Sequence, residues 1–195
     1  MRTTLLLVTS TLALAACGPK ANDATPTANG IASSGNMDVG SEGMADDGSM
    51  ATAPLATADF IAKAAMSDLY EISAGKIAED KATAPALRRF ATQMVEAHNL
   101  TTRDLKAAAA KDGVAAKPPA TLDAPHQALI AALESTPQGT VFDKLYKQQQ
   151  REAHTEALAT MQGYAASGDK SAVKAFATET ATKVQMHIDM LGQIN

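Results

Sequence analysis

The sequence predicts an all-α protein: a four-helix bundle with one long crossover that carries a short extra helix. Three observations lead there. Apolar residues between 58 and 195 recur at third-and-fourth spacing, the period of a helix face, with no sustained alternation of the kind strands show. Glycine and proline fall mainly between the periodic stretches. The connections run short, long, short, which suits antiparallel hairpins joined by a single crossover.

The elements follow in order. The first helix is expected from about Asp59 to Asp80, with Thr57 as its cap. The second starts after Thr83, whose hydroxyl can cap, with Pro85 tolerated in the first turn. Lys111 and Gly113 mark its end, the glycine suiting a left-handed stop. Prolines then break the chain in "VAAKPPATLDAPHQALIAALESTPQ", where "HQALIAALE" forms the short extra helix. The next long helix covers about Gly139 to Ala166 and ends at Gly168. Asp169 is read as the cap of the last, which runs almost to Asn195. One central crossover between two tight turns is the ferritin-like arrangement, with an up-and-down bundle plus an extra helix as the competing topology.

The segments before residue 58 read differently. "MRTTLLLVTSTLALAAC" has Arg2, an apolar run from Leu5 to Leu14 and small residues before Cys17. A run of that length falls well short of the roughly 20 residues that span a bilayer as a helix, so residues 1–17 are expected to be a secretory signal peptide. Leu14-Ala15-Ala16-Cys17 resembles the lipobox of bacterial lipoproteins, which implies a lipid on Cys17, the one cysteine of the chain. Such an acylated cysteine holds a protein to its membrane. Gly18 next to it, rather than aspartate, implies by that resemblance the outer membrane and its periplasmic face. Residues 18–57 lack aromatics and almost all branched apolar side chains, so they are expected to be a disordered tether with a reach of roughly 35 Å. The tether carries five acids and one lysine, and residues 58–195 are nearly neutral, without the basic footprint of a nucleic-acid binder.

Each long helix has one ionisable residue near the middle of its apolar stripe. The first carries Glu71 among Phe60, Ala64, Ser67, Ala74 and Ala78. The second carries His98 among Leu87, Ala91, Met94, Thr101 and Leu105, and the last carries His187 among Phe176, Thr180, Val184 and Leu191. His154 shares a face with Leu158, Met161 and Ala165. His126 lies in the crossover, apart from these. At about 1.5 Å per residue the members of each hairpin pair are staggered by more than one turn. Two readings stay open for Glu71, His98, His154 and His187. One is a hydrogen-bonded polar layer; the other is a site for one transition-metal ion, zinc, copper or iron, since imidazole suits all three. Met37, Met44 and Met50 in the acidic tether add a minor pointer to copper.

"FIAKAAMSDLYEISAGKIAEDKA", "LRRFATQMVEAHNLTTRDL", "FDKLYKQQQREAHTEAL" and "VKAFATETATKVQMHIDML" together resemble a bacterial family of ferritin-like envelope proteins. Members carry a domain of unknown function and are assigned to the outer membrane. The resemblance spans 58–195, implies the ferritin-like fold and puts Glu71, His98, His154 and His187 on the family's motif positions. Typical members have an acid directly before the second- and third-helix histidines, where this chain has Ala97 and Ala153. A di-iron oxidase centre would need Glu-x-x-His on two helices, whereas Val95 and Val184 stand three residues before His98 and His187. No nucleophile elbow or phosphate-binding glycine loop is present. The expectation is a non-enzymatic structural or interaction module of the envelope, with a periplasmic metal-binding protein as the alternative.

Overall fold

The computed structural model describes residues 55–115 and 117–194. The expected signal peptide, Cys17 and nearly all of the tether lie outside them. Five helices follow: α1 (Thr57–Lys81), α2 (Pro85–Lys111), α3 (Ala124–Ser135), α4 (Thr140–Ser167) and α5 (Ser171–Gly192), with no strand among the described residues. None is long and apolar enough to cross a membrane.

The long helices form a bundle in which α1 packs on α2 and α4 on α5, with α2 against α5 and α1 against α4 closing the sides. Contacts at the ends give the directions. The rings of Phe60 and Tyr164 stack at 4.1 Å, bringing the start of α1 to the end of α4. Lys81, at the end of α1, lies over the Phe142 ring at the start of α4. At that same end Lys147 donates to the Ile194 carbonyl beyond α5. The crossover from α2 to α4 therefore travels the length of the bundle. On the way α3 packs on α1 and α4, and Lys81 donates to the Leu133 and Glu134 carbonyls at 2.9 and 2.7 Å.

Two apolar clusters fill the ends of the bundle. One holds Phe90, Phe142, Tyr146, Leu87, Leu133 and Leu191; the other holds Phe60, Ile61, Leu105, Tyr164, Val173 and Phe176. All seven aromatics of the chain are buried. Gly75 lets α1 approach α2 closely, because a Cβ there would meet Val95 Cγ2 at 2.7 Å and the Ala91 carbonyl oxygen at 3.2 Å. Gly113, with φ +67°, ends α2 as expected, and the Val114 amide closes back on the Ala109 carbonyl.

The caps depart from expectation. Thr57 is the first residue of α1 and caps nothing; its hydroxyl bonds the Tyr164 hydroxyl at 2.6 Å and Asp169 at 2.5 Å. Asp169 is thereby occupied and does not cap α5. Instead Asp112, just past α2, accepts the Val173 amide in the first turn of α5 at 2.9 Å. The Thr83 hydroxyl likewise does not cap α2, but donates to Asp143 of α4 at 2.5 Å. Asp143 also accepts the Thr83 and Ala84 amides at 2.9 and 3.0 Å. In each case a tertiary partner has won over the local one.

Candidate metal centre

Between the apolar clusters lies a polar layer. Its residues occupy the inward stripes because the flanking turns of each helix are apolar and drive those faces inward. Met94 and Leu105 flank His98 on α2; Tyr146 and Met161 flank His154 on α4; Val184 and Leu191 flank His187 on α5. The stagger expected between His154 and His187 is bridged, with ring centroids 5.4 Å apart. His98, His154 and His187 each bring a ring nitrogen within 4.8 Å of the other two. Their ring centroids are 5.7 Å (98–154), 6.0 Å (98–187) and 5.4 Å (154–187) apart. His98 and His154 are buried, and His187 is partly so. A tetrahedral ion with bonds of about 2.0–2.1 Å sets its nitrogens about 3.3 Å apart, so small side-chain shifts would close the cluster on one.

The hydrogen bonds leave nitrogens free for that purpose. His98 Nδ1 lies 2.8 Å from Asp68 Oδ1, and His98 Nε2 has no partner. His154 Nδ1 lies 2.9 Å from the Gln150 carbonyl oxygen, and its Nε2 is unpaired. Nδ1 of His187 is also unpaired. A neutral imidazole that donates through one nitrogen offers a lone pair on the other, which is the form a metal requires.

Glu71 belongs to the layer but not to the three-nitrogen cluster. It is 1% exposed, with Oε1 3.6 Å from His154 Nδ1, and neither oxygen has a hydrogen-bond partner. Burial pushes its carboxyl up to about 7, partly offset by the charge of His98; the nearby Gln150 amide helps a little without reaching hydrogen-bond geometry. Burial also holds His154 down at about 4 and His187 at about 3, with charge on the neighbouring rings adding to both. For His98 burial acts downward too, but the Asp68 bond and the charges of Glu71 and Asp68 outweigh it, and His98 stands above its usual value. Burial likewise raises Asp68, against the His98 bond.

The four residues singled out from the sequence thus meet in one layer, three of them as a cluster. His126 stays apart, bonded to Asp123 and tilted against Tyr70 at 5.3 Å. A recess of about 380 Å³ opens between α1, α3 and α4, lined in part by Met66, Tyr70, His126 and Ala157; none of the three cluster histidines lines it. Sequence reasoning missed Asp68, Gln150 and Tyr146. Gln150 and Tyr146 follow the His154 stripe at four-residue steps on α4, and both are fully buried with unpaired side-chain atoms. Asp68 carried a signal in its height: it and His98 each stand about 14 residues from the α1–α2 turn.

No curated protein and no solved structure matches the chain. A family model does, over residues 41–194, taking in the last part of the segment read as a tether. With most of its length matched, the chain belongs to the family described as Domain of unknown function (DUF4142).

Proposed function

We propose that this protein is a metal-binding lipoprotein of the bacterial envelope, whose bundle core takes one transition-metal ion on His98, His154 and His187. One observation carries the reading: three imidazoles from three helices converge in the core with buried nitrogens unpaired. A purely structural layer would be expected to pair its donors and acceptors, because a buried polar atom left unpaired costs about 1–3 kcal/mol. A ligand set of three nitrogens, with the nearest carboxylate outside it, favours zinc or copper over the carboxylate-rich surroundings of iron oxidases. The one-crossover connectivity supports a ferritin-like bundle, a fold in which metal sites are built from side chains on facing helices. The lipobox-like Leu14-Ala15-Ala16-Cys17 supports anchoring through lipid on Cys17 at the periplasmic face of the outer membrane. The role proposed is binding or storage of that ion.

The test is elemental analysis of the full-length lipoprotein purified from membranes without chelators, beside a His98→Ala/His187→Ala double variant. One equivalent of metal in the wild type and none in the variant is expected. A wild type that arrives empty and takes up neither zinc nor copper on titration would end this reading.

A further inference from the structure

Resting on that metal reading, we infer that Asp68 is the positioning residue of the centre. It holds the His98 ring so that Nε2 is presented to the other two imidazoles. Asp68 is 3% exposed and both its oxygens are engaged on α2. Oδ1 meets His98 Nδ1 at 2.8 Å, and Oδ2 accepts the Thr102 hydroxyl at 3.0 Å. His98 and Thr102 are one turn apart, so the carboxylate is gripped at two points on one helix face and cannot swing away as a side chain with one bond could.

The chemistry follows from the bond. A carboxylate only accepts, so Nδ1 of His98 keeps its proton, and the neutral ring that a metal requires has its lone pair on Nε2. An anion behind a ligating imidazole also makes that imidazole a stronger donor than a backbone carbonyl does. The other rings lack this support. His154 Nδ1 faces its own helix carbonyl at Gln150, and His187 Nδ1 faces no partner. Glu71, one turn along α1 from Asp68, stops 3.6 Å from His154 Nδ1, beyond hydrogen-bond reach. Of the two buried acids on α1, Asp68 alone bonds a cluster imidazole.

The experiment compares full-length wild type with Asp68→Ala, Asp68→Asn and Glu71→Gln, using zinc titration and the visible spectrum of the cobalt-loaded protein. Asp68→Ala is expected to weaken zinc binding about 10–100-fold and to alter the cobalt bands. Asp68→Asn keeps an acceptor oxygen but not the charge, so it should fold as the wild type does and fall between the two. Glu71→Gln should leave the cobalt bands nearer to wild type than Asp68→Ala does. The inference is overturned if Asp68→Asn and Asp68→Ala bind zinc as tightly as wild type with unchanged cobalt bands, even where their metal-free melting temperatures fall. If Asp68→Ala does not fold, an Asp68→Asn protein indistinguishable from wild type in both affinity and spectrum overturns it alone. A wild type that binds neither ion overturns the metal reading itself, a different and recognisable failure.

Discussion

The apolar clusters and the polar layer are built by the same four helices, yet they treat their contacts in opposite ways. In the cluster around Phe60, rings stack and the polar group Thr57–Tyr164–Asp169 is bonded at every member. In the layer between the clusters, seven buried side-chain atoms of Glu71, His98, Gln150, His154 and His187 have no hydrogen-bond partner. Among the described residues one other buried side-chain atom is unpaired, the Tyr146 hydroxyl in the Phe90 cluster. The contrast teaches that hydrophobic burial holds the bundle shut and forces the polar layer inside, while the layer itself contributes cost. Its stability is borrowed from the clusters above and below.

That contrast can be broken at several points, starting with the largest effect. Phe60→Ala removes a fully buried ring and its stacking partner's contact, and should cost about 3–5 kcal/mol in denaturant unfolding. A loss below about 1 kcal/mol would mean that the cluster is not the source of stability. Next, zinc at a hundred times its dissociation constant should stabilise the protein by about 2.7 kcal/mol, and the His98→Ala/His187→Ala variant should gain nothing. Third, Gln150→Leu exchanges an unpaired buried amide for an apolar side chain. Measured with chelator present, it should be more stable than wild type by about 1–2 kcal/mol. Destabilisation of that size instead would show that the amide is satisfied and the contrast overstated.

The smallest effect concerns pH. Slight burial acts upward on Asp143, but the Thr83 hydroxyl and the Thr83 and Ala84 amides outweigh it, and its carboxyl lies below the usual 3.8. A carboxyl depressed on folding contributes stability that is complete above 3.8 and disappears as pH falls through its folded value. Because solvent screens this partly exposed carboxyl, wild type should lose only a small increment, well under about 1 kcal/mol, as pH falls below 3.8. Asp143→Asn should lack that step, and parallel acid titrations of the two proteins would check it.

The helices were legible because the forces that set them are local. Apolar spacing marked the stripes on α1, α2 and α5, and proline and glycine marked the breaks. His98, His154 and His187 stood out because each is the one ionisable residue in a stripe that is otherwise apolar or threonine. What could not be read locally were the partners. Thr57, Thr83 and Asp169 are good capping residues next to helix starts, and their side chains are spent instead on Tyr164 and Asp143, or on Thr57. Asp68 lies off the stripe that singles out Glu71, and only its height on α1, matched to that of His98 on α2, points to the pairing. Gln150 and Tyr146 stand at four-residue steps before His154, but neither is ionisable, and the spacing alone does not say that their polar atoms go unpaired.

The acids that serve the helix starts have a bearing on how the chain folds. The first turn of α5 takes its acceptor from Asp112 at the far end of α2, and the approach to α2 takes its own from Asp143 on α4. Neither the α1–α2 hairpin nor the α4–α5 hairpin carries the acceptor for its own second helix. Each half alone would leave amide groups waiting on solvent and should fray at its inner turn. Docking of the halves supplies both acceptors at once, so the ends of the helices and the closure of the core are expected to form and melt as a single cooperative step.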